Sequence, residues 1–209
     1  ENSTGILAQA IAGGGGFTGT QTGNITHMGG TLANNSTSIA GDVEVTNRAT
    51  IATFGTNSAA IIAQSIGGGG GSSATSASSA VRMGSISTAA RLGDIPVITT
   101  GNVTVTNTSN LSTTKAGSAG LLAQSIAGGG GYLAQTGSGK EHKITFGSSG
   151  ELSATAGDVT VNNSSKAITT KGNYSPALVA QSIGGGGGYA LLDASASGKK
   201  RIGASNNNT

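Results

Sequence analysis

A nine-residue string, Ala-Gln-Ser-Ile running into a block of glycines, occurs four times in this chain. The copies are Ala8–Gly16 (AQAIAGGGG), Ala63–Gly71 (AQSIGGGGG), Ala123–Gly131 (AQSIAGGGG) and Ala180–Gly188 (AQSIGGGGG). Their glutamines, Gln9, Gln64, Gln124 and Gln181, lie 55, 60 and 57 residues apart. Self-similarity at such a period marks one supersecondary unit stacked on copies of itself, in which each unit buries its apolar face against its neighbours.

A second element recurs at the same period between the glycine blocks. It reads Gly41-Asp-Val-Glu-Val-Thr-Asn47, Gly101-Asn-Val-Thr-Val-Thr-Asn107 and Gly157-Asp-Val-Thr-Val-Asn-Asn163, with starts 60 and 56 residues apart. Val43 and Val45, Val103 and Val105, and Val159 and Val161 alternate with Glu44, Thr104 and Thr160. Period-two alternation of β-branched residues is the pattern of a half-buried strand. The glycine before it and the asparagines Asn47, Asn107 and Asn163 after it are corner residues.

Short strands closed by glycine turns follow each of these. Small-residue corners at Ser58, Ser118 and Ser175-Pro176 then lead into Ile61-Ile62, Leu121-Leu122 and Leu178-Val179. Pro176 suits a corner better than the middle of a central strand. The Leu-Ala-Gln-Ser-Ile segment itself admits a strand or a helical turn. Five glycine slots after it, and the parity of the neighbouring strands, favour β. As a strand it would turn its glutamine inward or set it at a bend, where stacked amides could bond between coils. The most variable block, between each glycine run and the next Gly-Asp/Asn-Val strand, carries a recurring Met28-Gly29, Met83-Gly84 or Phe146-Gly147 step.

The expected architecture is therefore an all-β parallel β-solenoid occupying residues 1–209 as one continuous segment of a longer chain. Its repeat tracts lie near 6–16, 61–71, 121–131 and 178–188, and its strands near 41–47, 101–107 and 157–163. A unit of about 57 residues divides into about three coils of about 19 residues each, so roughly eleven coils would make an elongated rod on the order of 50 Å. The inward positions expected are Val43, Val45, Val103, Val105, Val159, Val161, Ile66, Ile126 and Ile183, with Ile11 and the four glutamines as the remaining repeat positions.

Composition bounds function more than it names one. Glycine is 38 of 209 residues, charged residues are 9% and aromatics 3%. Random placement of so much Gly, Ser, Thr and Asn would read as disorder, but the apolar residues recur at fixed positions. The absence of cysteine excludes a disulfide scaffold and any thiolate metal site, and it is compatible with a chain threaded unfolded across a membrane. The formal charge is +3, and the short basic cluster Lys199–Arg201 lacks aromatic interleaving, so no nucleic-acid partner is expected. No apolar run approaches the length of a bilayer-spanning helix, nor does the chain open on a basic-then-apolar leader.

The glycine runs and polar residues invite comparison with catalytic and cofactor signatures, and fit none of them. A phosphate loop ends in Gly-Lys-Ser/Thr, whereas Gly139-Lys140 is followed by Glu141 and Ala134 stands where the leading glycine belongs. Five unbroken glycines supply neither the helix start nor the downstream acid of a dinucleotide site. Calcium-binding rolls need an aspartate beside each glycine run, but Phe17, Ser72, Tyr132 and Tyr189 occupy those places. His27 and His142 stand without a second ligand at metal spacing, and Asp42 and Asp158 start strands as turn residues. No catalytic residue, metal or cofactor is expected.

The alternation of a Gly-Asp/Asn-Val-x-Val-x-Asn strand with the Ala-Gln-Ser-Ile-glycine tract resembles the repeat-rich passenger regions of large bacterial autotransporters (type V secretion), over essentially the whole chain. The resemblance implies a right-handed parallel β-helix exported through an outer-membrane β-barrel, which would lie outside this segment, and displayed on the cell surface or released from it. It implies a non-catalytic adhesive or biofilm role, with surface glycans, surface proteins or copies of itself as partners. Two alternatives stand beside it. One is a self-assembling extracellular filament stacked end to end. The other is a carbohydrate-active β-helix of the tailspike or lyase type, for which only Tyr132, Glu141 and His142 come near a suitable cluster.

Overall fold

The computed structural model of the chain describes residues 1–21, 25–76, 80–88, 94–136, 144–164, 167–191 and 200–203. Every element among them is a strand. In the first repeat these are β1 (Ile6–Ile11), β2 (Gly15–Gln21), β3 (Ile25–Met28), β4 (Thr31–Leu32), β5 (Thr37–Ile39), β6 (Val43–Asn47) and β7 (Ile51–Thr53). The second repeat supplies β8 (Ile61–Ile66), β9 (Gly70–Ser76), β10 (Ala80–Met83), β11 (Ile86–Ser87), β12 (Val97–Thr99), β13 (Val103–Asn107) and β14 (Leu111–Thr113). The third supplies β15 (Leu121–Ile126), β16 (Gly130–Thr136), β17 (Ile144–Phe146), β18 (Ser153–Thr155), β19 (Val159–Asn163) and β20 (Ile168–Thr170). The fourth contributes β21 (Leu178–Ile183), β22 (Gly187–Leu191) and β23 (Lys200–Ile202).

All pairings are parallel, and each joins a residue to its equivalent one repeat away. Gln64 of β8 lies between Gln9 of β1 and Gln124 of β15, and Gln124 pairs onward with Gln181 of β21. Val103 of β13 lies between Val43 of β6 and Val159 of β19. No described strand pairs with another of its own repeat. One repeat is therefore one full coil, which overturns the expectation of three coils per repeat. Short strands and glycine corners suggested frequent closure, but a coil closes only where its residues meet matching ones, and the match recurs once per repeat. Four coils about 4.8 Å apart put the first and last strands about 15 Å apart, where the sequence led to an elongated rod on the order of 50 Å.

The coil is wide because it folds into layers. Val43, Val45, Val103 and Val105 pack against Ile61, Ala63, Leu121 and Ala123. The opposite side of that sheet, through Ile62 and Leu122, meets Tyr132 and Ala134 of β16. Leu133, between those two, faces the other way onto Val81, Met83, Ile144 and Phe146. Four sheets thus stack in the order β6-type, β1-type, β2-type, β3-type, with the middle two covered on both faces. The run LLAQSI is fully buried along its length in β15, as is IIAQSI in β8. Strands buried on both faces read as near-continuous apolar runs, which is why this segment lacked a clear period. It is a strand and not a helix.

The glycine block is the reversal that places β16 against β15. Its length follows from two contacts. At Gly130, φ is +141° and an added Cβ would overlap the carbonyl oxygen of Gly187 in the next coil. At Gly129, a Cβ would stand 2.5 Å from the Cα of Gly84, the glycine of the Met-Gly step one layer across. Backbone thus approaches backbone both along the stack and across the layers, and no side chain fits at either place. The Met28-Gly29, Met83-Gly84 and Phe146-Gly147 steps end β3, β10 and β17, in one stacked sheet. They belong to the same coil as the glycine block and not to a separate one.

Val43, Val45, Val103, Val105, Ile66 and Ile126 are buried. Val159 and Val161 pack partly buried on the same core, and Ile11 and Ile183 are half-buried in the end coils.

One corner carries strain. Asn2, Asn57, Gly117 and Tyr174 occupy equivalent positions with φ of +54°, +53°, +71° and +56°. Asparagine and glycine tolerate this left-handed region, whereas a tyrosine there is strained. Tyr174→Asn is expected to stabilise the chain by about 1 kcal/mol in urea titration. Gly130→Ala is expected to abolish the cooperative transition, since its Cβ has backbone on its path in the adjacent coil.

Candidate functional surface

Like residues stacked one coil apart satisfy each other inside the solenoid. Gln9 Nε2 donates to Gln64 Oε1 at 2.6 Å, Gln64 to Gln124 at 2.7 Å and Gln124 to Gln181 at 2.6 Å. Gln64 and Gln124 are completely buried. A buried amide without partners is costly, and this ladder supplies both a donor and an acceptor to each interior member. Asn47 Nδ2 donates to Asn107 Oδ1 at 2.7 Å, and Asn107 to Asn163 at 2.8 Å. The same nitrogens also donate to the carbonyls of Ala49 and Ser109, which holds the corner after each Val-x-Val strand.

The remaining repeat polar residues do similar work. The backbone N–H of Ser58 donates to Ser118 Oγ and that of Ser118 to Ser175 Oγ, both at 3.0 Å. Ser65 and Ser125, the serines of the Ala-Gln-Ser-Ile string, donate to the carbonyls of Gly41 and Gly101 and so tie the central sheet to the Val-x-Val layer. Asp42 Oδ1 accepts from the N–H of Asn102 at 2.7 Å, and Asn102 Oδ1 from that of Asp158 at 2.8 Å. This column needs an acceptor, which either Asp or Asn supplies.

Tyr132, named among the residues of the carbohydrate-active alternative, does not line a groove. It is 2% exposed, its ring stacks on Tyr189 with centroids 6.0 Å apart, and its hydroxyl donates to Gly117 O at 2.6 Å. Glu141 and His142, with Gly139, Lys140 and Lys199, lie outside the described residues. His27 is exposed on β3 and sets Nε2 3.1 Å from Gly84 O, so that nitrogen carries the proton. Beside it Gly15, Gly16, Phe17, Thr18, Met28 and Gly29 line an open cleft of about 270 Å³. Among the described residues no group of three or more His, Cys, Asp or Glu could hold a metal ion. Among the described residues no helix is long and apolar enough to cross a membrane.

What faces outward is ordered by the same register. On the β6-β13-β19 layer Thr46 and Thr106 lie opposite Asn162, and Glu44 lies opposite Thr104 and Thr160. Across the molecule, on the β3-β10-β17-β23 layer, His27, Arg82, Thr145 and Arg201 share a column. Arg82 Nη2 donates to Ser149 Oγ at 2.6 Å. Burial and the neighbouring Arg201 charge pull its pKa below the usual value. The sequence pattern revealed the threonines as the polar half of an alternation. The arginine column sits in the variable block and gave no sequence signal.

Comparison of the chain with protein-family profiles, curated proteins and solved structures found no match.

Replacing Gln124 by Leu orphans the amides of Gln64 and Gln181, and is expected to lower stability by about 2 kcal/mol in urea titration. Converting all four glutamines to Leu should recover most of that loss, because no polar partner is then stranded. Burial raises the pKa of Tyr132 above its ordinary value of 10.0, the nearby Tyr189 raises it further, and burial raises that of Tyr189. The unfolded chain therefore releases these protons first, so stability is intact below about pH 10 and falls as pH rises above it. Absorbance at 295 nm should show the two phenols ionising together with unfolding.

Proposed function

We propose that this chain is a non-catalytic, surface-displayed adhesive and structural segment of a larger exported bacterial protein of the autotransporter kind. In this reading the solenoid winds right-handed, an outer-membrane β-barrel elsewhere in the protein exports it, and it works at the cell surface or after release. Its partners are glycans or proteins of host or bacterial surfaces, contacted without cofactor or chemistry.

The observation that carries the proposal is the outer face of the β6-β13-β19 layer. Thr46, Thr104, Thr106, Thr160 and Asn162 form a regular array of small hydrogen-bonding groups, one row per coil. Threonine hydroxyls both donate and accept, and at a spacing of about 4.8 Å from row to row they suit many weak contacts with a hydroxyl-rich surface. Affinity then grows with the number of rows engaged. The polar repeat residues of the interior are spent on inter-coil ladders, and that supports a scaffold more than a reaction centre.

Beads coated with the purified chain should adhere to bacterial or epithelial cells. Thr104→Glu/Thr106→Glu/Thr160→Glu, which places charge on the outer face alone, should lower adhesion at least about fivefold through lost multiplicity, with an unchanged thermal transition. Undiminished adhesion by this variant would remove the threonine array from the proposal. Release of reducing ends from surface polysaccharide by the purified chain would favour the carbohydrate-active reading.

A further inference from the structure

The two outer layers differ in charge. The rows of the threonine face hold one acid, Glu44, whereas the β3-β10-β17-β23 face holds Arg82 and Arg201. Val81 and Met83 are buried in the core, so Arg82 between them points outward. The register sets Arg201 in the same column two coils on, with Thr145 between them. Coils about 4.8 Å apart put the two arginine rows about 10 Å apart, with a hydroxyl in the middle. The column lies on the flank of the stack, so it does not depend on what adjoins either end of the chain.

A structural role would give these guanidiniums carboxylates, and they have none. Arg82 Nη2 donates to Ser149 Oγ at 2.6 Å and, at 3.5 Å, to Ser85 O, while Arg201 Nη2 donates to Gly203 O at 3.5 Å. Among the described residues neither arginine makes a further hydrogen bond or an ion pair. That includes Glu151, the described acid closest in sequence to Ser149. Arg82 Nε is buried without a partner, and Nη1, which is not among the buried unpaired atoms, meets solvent with both donors unused. Burial, and then the charge of Arg201, pull the Arg82 pKa down. The two charges are therefore held near each other at a cost that an anion lying along the column would relieve.

We infer that this column binds a linear anionic polysaccharide, with one carboxylate or sulfate on Arg82, the next on Arg201, and a sugar hydroxyl on Thr145. Guanidinium forks match the paired oxygens of either anionic group. A separation of about 10 Å is close to the length of a disaccharide, so charges on alternate sugars meet successive arginines. Nucleic acid carries its phosphates more densely and, when single-stranded, stacks its bases on aromatic platforms. This column has neither that charge density nor a Phe, Tyr or Trp. The site goes beyond the threonine-face reading and stands without it.

Retention of the purified chain on immobilised hyaluronate, chondroitin sulfate and uncharged dextran tests this, at about 0.1 M ionic strength, where the screening length is about 10 Å. Hyaluronate offers a carboxylate on each disaccharide, and chondroitin sulfate adds a sulfate. The parent should bind an anionic glycan and not dextran; retention on hyaluronate assigns the site to carboxylate, and retention on chondroitin sulfate alone assigns it to sulfate. Arg82→Gln/Arg201→Gln should lower the affinity at least about tenfold, and Arg201→Gln alone at least about threefold, each with the thermal transition of the parent. Should the double variant lose that transition, Arg201→Gln decides. Thr104→Glu/Thr106→Glu/Thr160→Glu, three sheet spacings or about 30 Å away, should bind the anionic glycan as the parent does, which separates this site from the threonine face. The inference is overturned by a parent that binds neither anionic glycan, or binds dextran equally well. It is equally overturned by tighter binding to single-stranded DNA of matched charge, by folded Gln variants that bind as the parent does, or by loss of glycan binding in the threonine variant.

Discussion

A buried amide that only an identical amide can satisfy governs this structure. Gln64 and Gln124 sit in a sheet covered on both faces, where water cannot reach them, and each is satisfied by the glutamine one coil before and one coil after. That arrangement is met in a single register. A slip of one residue along the strand would bring alanine or serine opposite the amide and turn every side chain to the other layer. A slip of a whole strand would bring unrelated columns together. The glutamines therefore act as register pins for a sheet whose remaining side chains, Leu, Ile and Ala, would pack acceptably in more than one alignment. The asparagine column does the same for the Val-x-Val layer, at a corner where the chain must also turn.

Register explains why glycine is so abundant and so ordered. Once coils are held at hydrogen-bonding distance and the chain reverses between two buried layers, the reversal has backbone above it, below it and beside it. Side chains have nowhere to go, as Gly129 against Gly84 shows. Composition that would otherwise suggest a disordered chain is the consequence of layers packed more closely than side chains allow. The same geometry makes the solenoid expensive in sequence. A whole repeat advances the stack by about one strand spacing, so the chain invests in breadth, with two broad outer layers of different character, more than in reach.

The outer layers show how one register yields different surfaces. On one, alternation with valine sets threonine in rows with Glu44 at their first-coil end, and Asp42 and Asp158 belong to the turn column, where Asp42 accepts the N–H of Asn102 and the N–H of Asp158 is in turn taken by Asn102. On the other, Arg82 and Arg201 fall into one column from the most variable part of the repeat. Stacking constrains what points inward at every position, whereas outward positions are free to differ from coil to coil.

The strand at Val103–Asn107, the corner at Ser118 and the stacking of like glutamines were all legible in the sequence, because period-two alternation, corner residues and exact repetition are local or self-referential signals. The threonine rows of the outer layer were legible only as the polar half of that alternation, and the arginine column not at all. What the sequence by itself determined is that the chain is all-β, parallel and built of four matching units. What only the tertiary structure decided is how many turns a unit makes and which faces are inside. Coil closure depends on where the chain returns to meet its own equivalent residue, and short strands with glycine corners are compatible with several such returns. Burial of LLAQSI on both faces depends on which layers lie to either side, so Tyr132, placed near a reactive cluster by sequence, stands instead as a stacked core side chain bonded to Gly117. These are relations between residues far apart in space that no local pattern encodes.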